Sequence, residues 1–299
     1  VASIFLDILG PVFLIVAVGA WAGRRLELQP STLSKLSYWI LGPAFIFNVF
    51  GDAALDIVLI GRMVVSGLAA MTITALLAVA AMRLARSAAP AVPAAVMTSV
   101  YGNVGNFGLA IVAFTYGEEA LPLAGVMFIV INIGGLIVGV TAASRRRASF
   151  GVAVRTALTA PMTLAVPPAL VVNALDIEVP LLVQRPVSLI AGALIPVMLL
   201  TLGAQLAGMT RPLIGTEVSI PLAAKLIVNP LLAAGASTVV GLAGVPAGVV
   251  VLQSAMPAAV FTALVALEHD LEPDLVTTTV LVGSLASVVT LPVVIALLT

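Results

Sequence analysis

The chain runs to 299 residues with 13 basic and 13 acidic side chains, no net charge, and 62% hydrophobic residues. Charged residues make up 9% of it and mean hydropathy is +1.25, whereas a soluble domain is about a quarter charged. A water-soluble globule is excluded, and an integral membrane protein is the reading that remains. No basic run suits nucleic acid. Without cysteine, disulfides, thiolate metal sites and a cysteine nucleophile are excluded, and the lone His269 is too little for a metal cluster or a Ser-His-Asp triad. No cofactor and no metal are expected.

A helix needs about 20 mostly apolar residues to cross the hydrocarbon core. That ruler predicts ten spans, at 3–23, 33–51, 58–82, 90–115, 120–143, 153–174, 183–206, 216–242, 246–267 and 273–298. The fold class is therefore all-α and membrane-embedded. The first span lacks a basic leader and a small-residue cleavage site, so it reads as retained rather than as a signal peptide; Asp7 near its end reads as interfacial. Span two carries Asn48 and span five Asn132; each suits either a substrate path or a helix-packing hydrogen bond. Span eight holds Lys225, four residues before Asn229-Pro230. A charge within a span points to function by default, but snorkelling of the long side chain to the membrane surface is the competing reading. After span nine comes an acidic loop with Glu268, Asp270, Glu272 and Asp274, where His269 reads as solvated.

Lysine and arginine set orientation. The odd-numbered loops hold ten of them, among them Lys35 and Arg145 to Arg147, against Arg62 and Arg185 on the other side. The odd loops are expected to be cytoplasmic and both termini outside.

Self-comparison suggests a duplication. Gly10-Pro11 faces Ala160-Pro161 and Gly117-Glu118-Glu119 faces Leu267-Glu268-His269, both at an offset of 150, while Gly42-Pro43 faces Ile195-Pro196 at 153. The expected halves are 1–145 and 152–299. Five spans per half is odd, so the second copy would enter the membrane inverted, the plan of many secondary transporters.

The paired spans four and nine also carry the strongest helix-breaking signals. Span four reads Tyr101-Gly102-Asn103-Val104-Gly105-Asn106-Phe107-Gly108, and glycine weakens a helix by about 1 kcal/mol relative to alanine. Span nine reads Gln253-Ser254-Ala255-Met256-Pro257, whose proline lacks a donor and clashes with the preceding turn. Irregular backbone at membrane depth survives only where protein or a water-filled cavity covers it. The breaks are expected at Gly105–Asn106 and Met256–Pro257, where half-helix ends would attract an anion, most simply a carboxylate. Close helix packing through glycine is the competing explanation. The candidate substrate site is Asn103, Gly105, Asn106, Gln253, Met256 and Pro257, with Asn48, Asn132, Lys225 and Asn229 as path or coupling candidates.

At these residues the sequence resembles the auxin efflux carrier family. The resemblance rests on Ile4 to Leu14 followed by Gly23-Arg24-Arg25, on Gly102-Asn103-Val104-Gly105-Asn106-Phe107-Gly108-Leu109, and on Ala255-Met256-Pro257-Ala258-Ala259. It implies two inverted five-helix repeats with crossover helices four and nine. It also implies a scaffold of spans 1, 2, 6 and 7 and a moving transport domain of spans 3–5 and 8–10. Carboxylate binding at Asn103, Asn106 and the Pro257 region, elevator-type transport across the cell membrane and a homodimer are further implications. Plant auxin carriers have a proline at the first crossover and an asparagine near the second, where this chain has Gly105-Asn106-Phe107 and Ala258-Ala259. The link from Ser144 to Gly151 is also far shorter than their cytoplasmic loop, so dicarboxylates stand beside auxin-like acids as substrates. A channel or receptor is the alternative function. An intramembrane enzyme is disfavoured because no His-Glu-x-x-His, Gly-x-Ser-x-Gly or intramembrane Asp pair is present, and ATP hydrolysis because no Walker-type loop is.

Overall fold

The computed structural model describes residues 5–51, 53, 56–143, 150–208 and 215–299. In chain order the helices are α1 (Leu6–Arg25), α2 (Pro30–Gly51), α3 (Ile57–Leu84), α4 (Ala91–Val100), α5 (Val104–Tyr116), α6 (Leu121–Ala143), α7 (Phe150–Leu158), α8 (Pro161–Ala174), α9 (Leu181–Ala207), α10 (Thr216–Val239), α11 (Gly244–Ser254), α12 (Val260–His269) and α13 (Pro273–Leu298). Among the described residues there is no strand, only one isolated bridge. Seven helices, α1, α2, α3, α6, α9, α10 and α13, are long and apolar enough to cross a membrane. The remaining helices are shorter because three of the ten expected spans are each divided in two. Spans four and nine divide as the Gly-Asn and Pro signals predict. Span six divides as well, at Thr159–Ala160, ahead of Pro161, where one continuous helix was expected.

Local chemistry sets many of the ends. Proline occupies the first turn of α2, α8 and α13, where its missing N–H removes nothing and its fixed φ suits entry. Asp56 caps α3 by accepting from the Val58 N–H at 3.0 Å. α5 stops at Gly117, whose φ of +88° few other residues adopt. The outer faces stay apolar, with Leu84, Leu182, Val239 and Leu297 projecting outward. Such side chains are stable in lipid and would aggregate in water.

Two packing groups stand out. In the first, α1 lies against α9 so closely that a Cβ on Gly19 would overlap the Leu200 backbone, and one on Gly203 the Val16 backbone. Small residues permitting backbone approach are the usual glue between membrane helices. α8 and the first half of α9 pack on α2. In the second group α3 packs on α4, α6 and α10, α11 lies on α10, and α13 contacts α12, α10 and α4. The groups meet where the first turn of α5 rests on α9, and where Phe13 and Phe107 stack edge-to-face at 5.5 Å.

Candidate functional site

The two interrupted spans touch each other at their interruptions. Tyr101, Gly102 and Asn103 leave the helix after α4, and Ala255 to Ala259 separate α11 from α12. The two segments run antiparallel with Gly102 opposite Ala258. Asn103 donates its backbone N–H to the Pro257 carbonyl at 2.7 Å, and Ala259 donates to the Tyr101 carbonyl at 2.8 Å. This short bridge replaces helix hydrogen bonds that the two breaks forfeit, which answers the demand that buried backbone be paired. The first break lies two residues earlier than expected: Gly105 and Asn106 sit inside a wide helical turn, Val104–Gly108, that already belongs to α5. The Asn103 carbonyl accepts from both Phe107 and Gly108 there, at 3.2 and 3.1 Å. Wide turns of this type recur at functional sites.

A cavity of about 420 Å³ opens against this bridge. Its size fits a small organic ligand. One wall comes from the broken spans and α6: Tyr101 to Asn106, Phe128, Asn132, Ala259 and Phe261. The other wall comes from the first packing group: Ser37 and Tyr38 of α2, Met162 of α8, and Met198, Thr201 and Gln205 of α9. Lys35, exposed, lines its edge.

The polar groups at the inner end favour an acceptor-bearing ligand. The N–H groups at the start of α5 have no partner one turn back, and they point with the positive end of the helix dipole. Asn103 is 4% exposed, and its side-chain Nδ2 donor is buried without a hydrogen-bond partner. Leaving such a donor unpaired is unfavourable by about 1–3 kcal/mol. Half-buried Asn106, also on the cavity, has a second amide there. The Ser37 hydroxyl and the Gln205 Oε1 on the facing wall are likewise buried and unpaired.

Of the sequence candidates, Asn103, Gly105, Asn106 and Asn132 line the cavity. Asn132 accepts from the Tyr101 hydroxyl at 2.9 Å and donates to the Phe128 carbonyl at 2.7 Å, so it both packs helices and faces the cavity. Gln253, Met256 and Pro257 are not among the residues lining the cavity: Gln253 and Met256 are fully buried, and the Pro257 carbonyl is occupied by the Asn103 N–H. Neither end of the Gln253 amide has a partner, and its oxygen lies against Gly108, where an added Cβ would displace it. Asn48 does not line the cavity and accepts from the Ser188 hydroxyl at 2.7 Å, the packing role. Lys225 does not snorkel: it is 1% exposed and donates to the Ser254 carbonyl at 3.0 Å. Asn229 donates to that same carbonyl at 3.1 Å and accepts from Thr74 at 3.2 Å. The side chain of His269 lies outside the described residues, and Asp7 is exposed. The facing wall of Ser37, Tyr38, Thr201 and Gln205 is absent from the sequence candidates, although a glutamine within an apolar span was a usable signal.

Apolar outer faces and seven helices long and apolar enough to cross a membrane define an integral membrane protein with a cavity between two helix groups. A family model described as membrane transport protein matches residues 140–295, just over half of the chain. The chain belongs to this transporter family, which is that of the auxin efflux carriers. It is 32% identical over 103 residues to an uncharacterized transporter of Methanothermobacter thermautotrophicus, covering 34% of either chain. It is 29% identical over 111 residues to probable auxin efflux carrier component 1b of Oryza sativa subsp. japonica, covering 36% of this chain and 20% of the rice protein. Component 1d of the same plant matches to the same extent. The similarity thus spans a third of the archaeal relative and a fifth of the rice ones.

Proposed function

We propose that the chain is a secondary transporter of small carboxylates, with the anion held between the α5 N-terminus and the Asn103 and Asn106 amides. The observation that carries this reading is the unpaired, buried Nδ2 donor of Asn103 at the inner end of the cavity. A carboxylate would accept from it and from the free N–H groups of α5 together, which is how half-helix ends hold substrate anions in broken-helix carriers. The largely apolar remainder, with Phe128, Met198 and Phe261, suits an organic body on that carboxylate.

In this reading the chain crosses the membrane ten times, as inverted halves 1–145 and 152–299, and spans four and nine act as crossover helices. Helices α3–α6 and α10–α13 move as one body against a scaffold of α1, α2 and α7–α9, an elevator-type cycle. The close α1–α9 seam and the cavity between the two groups support it. The protein sits in the cell membrane with both termini outside, on the lysine and arginine bias, and pairs through its scaffold face as a homodimer. The cavity edge at Lys35 then faces the cytoplasm.

Uptake of labelled mono- and dicarboxylates, indole-3-acetate included, into proteoliposomes tests the reading. Saturable, mutually competing uptake is expected. Flux that rises linearly with concentration would make the chain a channel, and an absence of flux with any carboxylate would overturn the anion assignment.

A further inference from the structure

A carboxylate at the α5 N-terminus uses only one wall of the cavity. The facing wall is polar too. Ser37 of α2 lines the cavity at 4% exposure, and its hydroxyl is buried without a partner. Gln205 of α9 lines the same wall. Its Nε2 donates to the Ser34 hydroxyl oxygen at 3.4 Å, while its Oε1 is buried and unpaired. Ser34 precedes Ser37 by three residues, the spacing that stacks side chains on one helical face. The Ser34 bond therefore brings the carboxamide to the face of α2 that carries Ser37. Two unpaired groups from different helices border one space, and leaving each buried without a partner is unfavourable.

Their chemistry narrows what can fill that space. A carboxamide oxygen only accepts, whereas a hydroxyl both donates and accepts. A carboxylate or ketone oxygen would accept from Ser37 but stand oxygen to oxygen against Gln205. A methyl group would leave both unpaired. An alcohol hydroxyl satisfies both, donating to the Gln205 Oε1 and accepting from Ser37. With the carboxamide turned over, it accepts from Nε2 and donates to the Ser37 oxygen. Thr201, one turn before Gln205, gives its proton to the Val197 carbonyl at 2.7 Å and keeps only acceptor capacity for the cavity. Lys35, a cation on this wall, is exposed, where water screens its charge. We infer that Ser37 and Gln205 form a hydroxyl-recognising subsite, and that the preferred ligands are small hydroxycarboxylates, ahead of plain or doubly charged acids. The acid end of such a ligand rests on the proposed carboxylate site; its hydroxyl end rests on the facing wall alone.

Calorimetry on the detergent-purified protein tests the subsite. The probes are 4-hydroxybutyrate, 6-hydroxyhexanoate and 8-hydroxyoctanoate, each against the parent acid without the hydroxyl, and the same pairs as neutral primary amides. Their flexible chains let the two ends find their own separation. At least one hydroxy acid should bind roughly tenfold or more tightly than its parent, because a site built to bond a hydroxyl is left with unpaired groups by the analogue that lacks one. Ser37→Ala and Gln205→Leu should each shrink that ratio toward unity, whereas a merely structural role would weaken both members of a pair alike. A hydroxyl that brings no gain in either the acid or the amide series overturns the proposal, as does a ratio unchanged in both folded variants. Adipate binding more tightly than 6-hydroxyhexanoate also overturns it, making the wall a second anion site. If a variant does not fold, the wild-type ratios decide. A hydroxyl gain among the amides with no binding of any acid overturns the carboxylate reading and leaves the subsite standing.

Discussion

The backbone N–H of Asn103 donates to the carbonyl of Pro257 at 2.7 Å, joining two helix breaks that lie in opposite halves of the chain. The bond occupies the Asn103 main chain and leaves its side-chain Nδ2 buried and unpaired beside the cavity. One residue thus closes the backbone of the break and, in the proposed reading, supplies the donor to the carboxylate. Pro257 suits the partner position because its carbonyl is an acceptor and its nitrogen has nothing to donate.

Gly105 should set the length of the site. A Cβ at this position would come within 2.7 Å of the Phe128 ring and 2.8 Å of the Met198 methyl, both cavity-lining side chains that can shift. Gly105→Val should fold yet fill the inner end of the cavity. Roughly tenfold or greater weakening of carboxylate binding is expected, equivalent to about 1.4 kcal/mol, measured by calorimetry on the purified variant.

The α1–α9 seam should matter to stability alone. Gly203→Leu drives a side chain into the Val16 backbone, and overpacking of this kind destabilises by about 1–3 kcal/mol. Its melting temperature should fall, while the carboxylate affinity of the protein that remains folded stays at the wild-type value. A selective loss of affinity would contradict the separation of seam and site.

Two asparagines that look equivalent in sequence should behave differently. Asn48→Ala removes the bond from Ser188 and should cost about 1 kcal/mol of stability with no change in binding. Asn132→Ala frees the Tyr101 hydroxyl at the cavity and should weaken binding as well. Thermal melts with and without substrate distinguish the two effects.

How much of this is legible in the sequence follows from the kind of signal. The breaks of spans four and nine are readable because glycine, asparagine and proline act locally on the backbone. Even so the first break falls at Tyr101–Asn103 and not at Gly105–Asn106, because a wide turn absorbs the two downstream residues into α5. The interruption before Pro161 carries a single local signal, the proline itself, which a kinked but continuous helix accommodates equally well. The facing wall of Ser37, Thr201 and Gln205 sits in ordinary spans, and nothing along the chain says that α2 and α9 converge on the breaks. Lys225 is conspicuous as a charge, but choosing between snorkelling and burial takes the position of the Ser254 carbonyl.

Absence of cysteine from the whole chain makes accessibility measurable one position at a time. Asn106→Cys should react with a membrane-impermeant maleimide from one side of the membrane only, and carboxylate should slow that labelling. Lys35→Cys, at the exposed edge, should label from the same side, the cytoplasmic one if the arginine bias sets the orientation. Labelling of Lys35→Cys from outside would invert the assigned topology.

The central claim is that the Asn103 amide and the α5 N-terminus hold a carboxylate, and ligand-induced thermal stabilisation of wild type against Asn103→Ala tests it most directly. Removing a hydrogen bond to a charged group costs about 1.5–3 kcal/mol. The account predicts that a carboxylate raising the wild-type melting temperature needs roughly ten- to hundredfold higher concentration to do so in Asn103→Ala. An unchanged carboxylate response in a folded Asn103→Ala variant would contradict it.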